Sequence, residues 1–303
     1  MKFSIYQESR VGGRKENQDR VAYCYSRDAV VMIIADGMGG HLHGEVAAQI
    51  AVQFIAEAFQ REATPKLADP VRFLLDSITN AHFAILDYAE VRRLLETPRT
   101  TCVACVVQDG VAYWAHVGDS RLYLIREGRV EAQTKDHSRV QMLVDLGRIR
   151  EEAVGVHPER NKIFNCLGQM TPPKVELSRR ALLKEGDTIL LCTDGFWGPL
   201  DGRVIGEKLA DGNVARAVPQ LLDLAEVRAG RDGDNLSVIA LTWADEHAGS
   251  GDWISTLAMD LNEKTTKLSD WGKSDPQAHS HLTDDEIERA IDEIRTAIHK
   301  HSG

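Results

Sequence analysis

Residues 30–48 of this 303-residue chain read VVMIIADGMGGHLHGEVAA. The first six letters form a continuously apolar run rich in β-branched residues, which is typical of a buried strand. The run stops at Asp36-Gly37, and an amphipathic helical pattern begins at about Gly44. The adjacent glycine lets the backbone turn sharply and approach an ion closely. The stretch therefore predicts a buried strand that ends in a carboxylate, followed by a helix.

Four further aspartates occupy tight polar turns beside apolar, strand-like runs. These turns are Asn17-Gln18-Asp19, Gly118-Asp119, Asp194-Gly195 and Gly233-Asp234-Asn235. If the flanking strands share one edge of a sheet, the carboxylates converge in space. The plainer interpretation is that Asp-Gly is only a turn dipeptide. It suffices for any single pair, but four such turns beside apolar strands favour a common site.

Converging carboxylates predict a divalent-metal centre. They repel one another strongly unless a cation neutralises them, and oxygen ligands without His or Cys favour Mg²⁺ or Mn²⁺ over zinc. Two such cations about 3.5–4 Å apart can bridge a water, lower its pKa and direct it at phosphorus. Arg14, five residues before Asp19, could hold the phosphate bidentately, although by itself it is an ordinary solvated charge.

Other phosphate chemistries lack their motifs. No cysteine is followed six positions later by arginine, so the loop of the cysteine phosphatases is missing. No GxxxxGK[S/T] sequence occurs, which excludes a P-loop. Asp232-x-Asp234 resembles an aspartyl-phosphate nucleophile motif, but it precedes a strand instead of ending one. The glycines of 36–41 fit no dinucleotide-binding fingerprint.

Eight segments with period-2 or continuous apolar patterns are predicted as strands. They cover 3–7, 21–25, 30–35, 101–107, 111–117, 121–125, 188–192 and 236–242. Helical patterns cover about 44–60, 70–95 and 214–227. Since the strands follow one another through short turns and the helices come in blocks, we expect an α+β fold with antiparallel sheets rather than a βαβ arrangement.

The charge and the cysteines limit the partners and the compartment. A formal net charge of -10 repels phosphate backbones, so nucleic acid is not an expected partner. The longest apolar run is too short to span a bilayer and the amino terminus lacks a signal peptide's apolar region, so we expect no membrane association. Five scattered cysteines indicate reduced thiols in the cytoplasm. Cys102 and Cys105 lie three apart in a strand-like run and should face opposite sides, which argues against a shared metal.

The carboxy-terminal part of the chain is more acidic than the rest. From Asp245 onward, 13 acidic residues stand against 6 basic ones. We expect a globular domain over 1–244, a polar linker over 245–281 and an amphipathic helix over 282–303. A capping box at 283–286 begins this helix, and isoleucines at helical spacing form its apolar stripe. The stripe either packs on the core or binds a partner or a second copy.

Seven stretches, taken in order, resemble the PPM family, the metal-dependent (type 2C) serine/threonine protein phosphatases, in its bacterial form. They are RKENQD (14–19), IIADGMGGHLHGEVAA (33–48), AHVGDSRLYLIREG (115–128), KDHS (135–138), HPERNKIFNCLG (157–168), GDTILLCTDGFWG (186–198) and GDNLSVIAL (233–241). The resemblance covers nearly all of 6–243, and the order and separations of the pieces make it specific.

The resemblance implies a four-layer α/β-β/α sandwich with the metals at one end. It implies two Mn²⁺ or Mg²⁺ ions per subunit and a weaker third. The residues that would bind them are Asp19, Asp36, Gly37, Asp119, Asp194 and Asp234. Within this set Asp36 would bridge the two ions, and Asp119 would form the third site with Asp194.

The resemblance also implies the reaction and the partners. Arg14 would bind the substrate phosphate, with Asp36 at the reacting centre, and 136–165 would form a flap that influences substrate choice. The expected activity is hydrolysis of phosphoserine and phosphothreonine on proteins, with a serine/threonine kinase or its targets as the natural substrates. Two alternatives stay open: a catalytically silent sensing or scaffolding module that acts through the carboxy-terminal extension, and an enzyme for small phosphate esters.

Two departures from the family's pattern bear on the proposed site. Gln18 stands where many relatives have glutamate, which removes a negative charge beside the second metal. Met38 stands where eukaryotic members have a histidine proposed as general acid, so that a water at the metals would protonate the leaving group. His41 is a tempting substitute, but a polar histidine in a turn more often has a local structural role.

Overall fold

A computed structural model describes residues 1–38, 43–150, 153–154, 157–160, 162–244 and 253–268 of the chain. Within these ranges two antiparallel sheets pack face to face, and helices cover both outer faces. The expected α+β sandwich with four layers is therefore confirmed.

The strands carry the apolar runs and a few shorter additions. The described strands are β1 (Lys2–Arg10), β2 (Asp19–Tyr25), β3 (Ala29–Asp36), β4 (Cys102–Gln108), β5 (Val111–Val117), β6 (Arg121–Arg126), β7 (Arg129–Gln133), β8 (Glu176–Leu177), β9 (Ala181–Leu182), β10 (Thr188–Cys192), β11 (Leu236–Ala244), β12 (Ile254–Ser255) and β13 (Thr265–Leu268). The described helices are α1 (Gly44–Glu62), α2 (Pro70–Val91), α3 (Arg139–Asp145), α4 (Asp194–Trp197), α5 (Gly202–Lys208) and α6 (Val214–Ala229).

All eight predicted strands and the three predicted helices of the globular part are present. Sheet A has the order β12-β1-β11-β10-β6-β7, and sheet B the order β13-β2-β3-β4-β5-β8, with β9 also paired to β5. Every pairing is antiparallel, and the longest runs from Lys2 opposite Ala244 to Arg10 opposite Leu236. No described helix is long and apolar enough to cross a membrane.

The continuously apolar run of β3 follows from burial on both sides. Met32 and Ile34 face the space between the sheets, whereas Val31 and Ile33 face α1 and α2. All four are fully buried, and each such side chain contributes about 1.5–3 kcal/mol through burial. The strand is therefore a rigid support, and its last residue, Asp36, has little freedom to move.

The cysteines agree with the sequence prediction. Cys102 packs towards the helices and Cys105 towards the space between the sheets, so they face opposite sides of β4. All five cysteines are free and buried. Burial raises the pKa of Cys102 to about 12, which keeps that thiol protonated and unreactive.

Part of the segment expected to be a linker runs along both sheets. β12 adds two residue pairs to β1, and β13 adds four to β2. Between them Thr256 is fully buried; its Oγ1 accepts from the amino terminus at 2.9 Å and donates to the Arg27 carbonyl at 2.6 Å. The division into 1–244, 245–281 and 282–303 stays a prediction, but 253–268 is more than a connection. The helix predicted over 282–303 lies outside the described residues.

A chain ending at Ala244 should be less stable than one ending at Leu268. Removal of β12 and β13 exposes the backbone edges of β1 and β2 and the pocket of Thr256. The loss of a few backbone hydrogen bonds corresponds to about 3 kcal/mol, or roughly 6–12 °C in melting temperature for a domain of this size. Thermal melting of 1–244, 1–268 and the full chain measures this. Equal melting of the two shorter chains would show that these strands do not stabilise the fold.

Candidate metal centre

Asp19 and Asp36 lie side by side at the ends of two neighbouring strands of sheet B. Asp19 is the first residue of β2 and Asp36 the last of β3, and the antiparallel register pairs their Cα atoms. Side chains opposite each other in such a pair have Cβ atoms about 4.5–5.5 Å apart. Strand β4 holds Asp36 in place: its N–H donates to Thr101 Oγ1 at 3.1 Å, and its carbonyl accepts from the Thr101 N–H at 2.9 Å. This end of the sheet thus presents two adjacent carboxylates.

Asp194 and Asp234 come from sheet A. Asp194 begins α4 just after β10, Asp234 lies just before β11, and these two strands are antiparallel neighbours, so both aspartates lie at the same end. The carboxyl groups of Asp36 and Asp194 are close enough to share a hydrogen bond. Thr193 Oγ1 donates to Asp19 Oδ2 at 2.8 Å. The four aspartates therefore lie together at one end of the sandwich, where strands of both sheets begin or end.

Asp119 lies in the turn that carries the chain from β5 in sheet B to β6 in sheet A. It is 3% exposed, and its carbonyl accepts from Trp197 Nε1 at 2.9 Å. The Arg121 guanidinium stacks 3.4 Å from the centre of the Trp197 ring and donates two hydrogen bonds of 2.8 Å to Asp136. The contacts of Asp119 and Arg121 with Trp197 and Asp136 thus hold the turn in place.

Gly37 lies against the first turn of α1. A Cβ at this position would stand 2.5 Å from the carbonyl carbon of Gly44 and 2.8 Å from the Gln18 carbonyl oxygen. The Gly37 N–H donates to that same Gln18 carbonyl at 3.1 Å. Only glycine fits, which explains the Asp36-Gly37 pair; that the Gly37 carbonyl binds a metal stays a prediction.

Arg14 lies at the rim of the carboxylates. Its Nη2 donates to Asp234 Oδ2 at 2.6 Å, and its side chain is 51% exposed. The loop that carries it is tied to sheet A by Asn235, whose Nδ2 donates to the carbonyls of Val11 and Glu16 at 2.8 and 2.9 Å. The loop of the predicted phosphate-binding residue is therefore held in place, while one guanidinium nitrogen contacts Asp234 and about half of the side chain is exposed.

Gln18 and Met38, which depart from the family's pattern, each donate a hydrogen bond to a neighbouring residue. Gln18 Nε2 donates to Glu45 Oε2, at the start of α1, at 3.3 Å. The Met38 N–H donates to the Arg99 carbonyl at 3.0 Å. His41 lies outside the described residues.

Burial and mutual repulsion shift the titration of the aspartates. Burial raises the pKa of Asp19 to about 7, with a further contribution from the charges of Asp194 and Asp234. Burial, followed by the charge of Asp234, raises the pKa of Asp194 to about 6. The pKa values of Asp36 and Asp119 are raised well above the ordinary range, again by burial and by neighbouring aspartates. Carboxyl groups that share a site in this way hold protons unless a cation takes their place.

Two of these carboxylates also have oxygens without a donor. Asp19 Oδ1 and Asp119 Oδ1 are buried and accept no hydrogen bond from any described residue. An unpaired buried acceptor of this kind costs about 1–3 kcal/mol, and more when it is charged. A divalent cation would satisfy both oxygens, and an all-oxygen donor set suits Mn²⁺ or Mg²⁺. The residues present therefore fit such an ion.

A second group of possible ligands was missed from the sequence. His116 on β5, His137 in the segment after β7 and Glu176 on β8 offer ligand atoms that all lie within 4.8 Å of one another. The three are far apart in the chain and carry no shared motif, although His137 belongs to the KDHS stretch. They contain nitrogen donors and lie on the β5–β8 edge of sheet B, away from Asp19 and Asp36.

The chain is similar to known protein phosphatases. The family model described as protein phosphatase 2C matches residues 7–218. The chain is 31% identical over 232 residues to the serine/threonine phosphatase stp of Listeria innocua, which covers 75% of this chain and 87% of that protein. It is 35% identical over 237 residues to the serine/threonine protein phosphatase PstP of Mycobacterium tuberculosis, covering 78% of this chain but only 44% of PstP.

A solved structure agrees with the fold. The catalytic domain of PstP in complex with two manganese ions superposes with a TM-score of 0.68 at 33% identity. The match covers 80% of this chain and 99% of that one. The sandwich described above is thus similar to that of a phosphatase domain that binds manganese.

With divalent cations removed, the protein should lose stability as the pH rises from about 4 to about 7. Over this range the aspartates with raised pKa values hold protons in the folded state that they lack in the unfolded state, so a higher pH leaves like charges buried together. Each pH unit in this window costs about 1.4 kcal/mol per group. Mn²⁺ should reverse the loss, and should raise the melting temperature by several degrees more at pH 8 than at pH 5.

Melting curves with EDTA and with Mn²⁺ at both pH values measure this effect. Asp36→Asn should flatten the pH dependence. Asp109→Asn, in an exposed turn where Asp109 pairs with Lys66, should leave it unchanged. A cation-free protein that becomes more stable from pH 5 to pH 8 would contradict the clustering of the aspartates.

Proposed function

Because the chain belongs to the protein phosphatase 2C family, and is therefore a metal-dependent protein serine/threonine phosphatase, we propose that it works through a binuclear Mn²⁺ or Mg²⁺ centre between its two sheets. The proposal is carried by the convergence of Asp19 and Asp36 from one sheet with Asp194 and Asp234 from the other. The raised pKa values of Asp19 and Asp194 and the unpaired Asp19 oxygen support it, since both are relieved by a bound cation.

We assign the ligands by their places in this cluster. Asp36 lies opposite Asp19 in the sheet and within hydrogen-bonding reach of Asp194, so it would contribute to the binding of both ions. Asp194 and Asp234 would hold one ion and Asp19 the other, with the Gly37 carbonyl as an additional ligand. A weaker third ion would use Asp119 with Asp194. After burial, the charge of Asp194 is the largest cause of the raised pKa of Asp119.

The bound cations would lower the pKa of a water and neutralise the charge that develops on the transferred phosphoryl group. The chain itself must bring the phosphate to that point. Arg14 has one guanidinium edge on Asp234 and the rest of its half-exposed side chain in solvent. Because a planar guanidinium binds phosphate bidentately, Arg14 can orient a phosphate at the rim. Its loop, tied down by Asn235, limits the conformational freedom lost when it does so.

The substrates would be phosphorylated proteins, with a serine/threonine kinase or that kinase's targets as the natural candidates. The relatives named serine/threonine phosphatases support this class. Five buried, unpaired thiols suit a reducing compartment, which supports a reaction in the cytoplasm. A catalytically silent scaffold is disfavoured because every proposed carboxylate is in place. An enzyme for small phosphate esters becomes an outcome of the test.

Turnover with Mn²⁺ should depend on the shared aspartates. Asp36→Asn and Asp194→Asn should each lower kcat/KM for p-nitrophenyl phosphate and for a phosphothreonine peptide by at least about 1,000-fold, as expected when a group that holds the catalytic ions is lost. Asp109→Asn, the matched change in another Asp-Gly turn, should stay within about twofold. Hydrolysis that survives in EDTA or in Asp36→Asn would overturn the proposal. Hydrolysis of metabolite esters but not of the peptide would move the substrate class to small molecules.

Arg14 should contribute to phosphate binding and not to metal binding. Arg14→Ala should lower kcat/KM by about 10–100-fold, because a charge-assisted hydrogen bond contributes about 1.5–3 kcal/mol, and Arg14→Lys should recover only part of this. Removing a cation next to Asp234 cannot weaken the affinity for Mn²⁺, so calorimetry should show unchanged or tighter binding. Arg10→Lys is the control, since Arg10 pairs with Glu8, Asp223 and Glu226 instead. Weaker Mn²⁺ binding in Arg14→Ala would contradict this role.

A further inference from the structure

His137 binds both backbone polar groups of Gly118. Its backbone N–H donates to the Gly118 carbonyl at 2.9 Å. Its ring Nδ1 accepts from the Gly118 N–H at 3.1 Å. The residue after Gly118 is Asp119, so these two bonds fix the peptide units on either side of the residue that presents Asp119.

The backbone at Gly118 needs such a fixture. Its φ is +106°, a conformation that residues with side chains rarely adopt, and a Cβ there would stand 2.6 Å from Thr101 Cβ. A glycine has no side chain through which packing could hold the turn. Asp119 itself contributes a buried Oδ1 without a donor among the described residues, so its carboxylate is not held by hydrogen bonds at that oxygen. The direction of Asp119 therefore depends on bonds to the backbone around it.

The protonation of the His137 ring follows from its neighbours. Asn165 Nδ2 also donates to His137 Nδ1, at 2.8 Å. The Asn165 amide cannot be turned over, because its Nδ2 donates to the Lys174 carbonyl at 2.8 Å and its Oδ1 accepts from the Lys174 N–H at 3.0 Å. Two donors thus face Nδ1, which must carry the lone pair. The proton lies on Nε2, where Glu176 Oε2 accepts it at 3.3 Å.

This tautomer excludes the most obvious use of the cluster. His116, His137 and Glu176 are close enough together to suggest a metal, and His116 alone would suit one, since its Nε2 lies 2.7 Å from the Lys135 carbonyl and leaves Nδ1 free. His137 would have to bind the ion through Nε2, however, which requires a proton on Nδ1, where Gly118 and Asn165 already donate. The cluster therefore holds a proton between His137 and Glu176 and not a cation.

Burial favours the neutral form of His137, and the neighbouring imidazole packs against its ring. The His116 ring stacks on it with centroids 4.7 Å apart and an interplanar angle of 18°. Burial lowers the pKa of His137 and that of His116, which favours uncharged rings and leaves His137 Nδ1 able to accept the Gly118 N–H. The acceptor at Nδ1 is thus present at neutral pH.

We infer that His137 is a positioning residue that, through its Nδ1 and backbone N–H, fixes the Gly118–Asp119 turn so that the Asp119 carboxylate is aimed into the metal cluster. The inference rests on the proposed function, because it gives Asp119 a part in metal binding. In this role the stacked His116 and His137 rings support the metal centre, and a hydrogen-bond acceptor is needed where His137 Nδ1 lies.

Three variants separate this role from a general packing role. His137→Asn places an amide oxygen where Nδ1 lies, His137→Gln places its amide where Nε2 lies, and His137→Phe keeps the ring without an acceptor. His137→Asn should keep the Mn²⁺ dependence of p-nitrophenyl phosphate turnover within about threefold of the unaltered chain. His137→Gln and His137→Phe should raise the Mn²⁺ concentration for half-maximal rate by at least about tenfold and change KM little. Calorimetry with Mn²⁺ alone should show the same order of affinities.

A double-substitution cycle ties the effect to Asp119. If His137 acts through Asp119, adding His137→Gln to Asp119→Asn should weaken Mn²⁺ binding no further. Glu176→Gln keeps an acceptor for the Nε2 proton and should stay within about twofold of the unaltered chain. Equal behaviour of His137→Asn and His137→Gln, or additive effects in the cycle, would overturn the inference. So would Zn²⁺ binding, measured by calorimetry, that is lost in Glu176→Gln.

The outcome for His137 is distinguishable from failure of the proposed function. If the unaltered chain hydrolyses the substrate with Mn²⁺ and loses this with Asp36→Asn, the metal centre stands whatever the His137 variants do. If the unaltered chain shows neither Mn²⁺ binding nor turnover, the proposed function itself has failed. Melting temperatures of the three variants exclude unfolding as the cause of any loss.

Discussion

Buried carboxylates that repel one another govern the structure at the place where the two sheets meet. At 4 Å, two like charges in a partly buried setting repel by about 4 kcal/mol, and a whole domain is stable by only about 5–15 kcal/mol. Asp19, Asp36 and Asp194 cannot all be ionised together in so small a space without protons or cations between them. Burial and this repulsion raise the pKa values of these groups, because protonation removes the buried charges. The fold must therefore be rigid enough to keep the carboxylates together against their repulsion.

That rigidity comes from strands buried on both faces and from backbone contacts that only glycine allows. Because β3 and β10 are apolar on both sides, their ends cannot slide or tilt without opening a core. At the end of β3, Gly37 packs its backbone against the start of α1. The Thr193 hydroxyl links the two sheets: it accepts a hydrogen bond from the Ser237 N–H of sheet A and donates one to Asp19 of sheet B. The chemistry of the site is carried by side chains, but their placement is a property of the backbone.

Local patterns in the sequence predicted the long strands, the helices and the antiparallel α+β class, and they singled out the aspartates, whereas the four layers and the ligand assignment were implied by the family resemblance. Local patterns could not decide which Asp-Gly turns belong together. Asp109-Gly110 also follows a buried strand, β4, yet it forms an exposed hairpin in which Asp109 pairs with Lys66. The strands that lead to Asp36 and to Asp109 stop at opposite ends of the sheet. That depends on strand direction and register, which become known only when the sheet is assembled.

The other omissions have related causes. β12 and β13 are two and four residues long, and they form because the edges of β1 and β2 offer hydrogen bonds, not because their own sequences favour strands. The part played by His137 depends on bonds to a backbone 19 residues earlier in the chain. Arg14 was identified by its chemistry, whereas its pairing with Asp234 depends on how Asn235 folds the preceding loop. Patterns in a sequence describe elements, while these features are relations between elements.

A cation at this site would serve the fold as well as the reaction. Asp19 and Asp36 come from sheet B, and Asp194 and Asp234 come from sheet A, so an ion shared among them would join the two layers just beyond the apolar residues packed between the sheets. The free energy of binding the ion is then also free energy of packing one sheet on the other. This would explain why the carboxylates can be tolerated at a sheet interface at all. A bound cation would attract the carboxylates that repel one another without it. Thr193, which donates to Asp19, and His137 in its inferred role at Gly118 would then determine how well the two sheets share the ion.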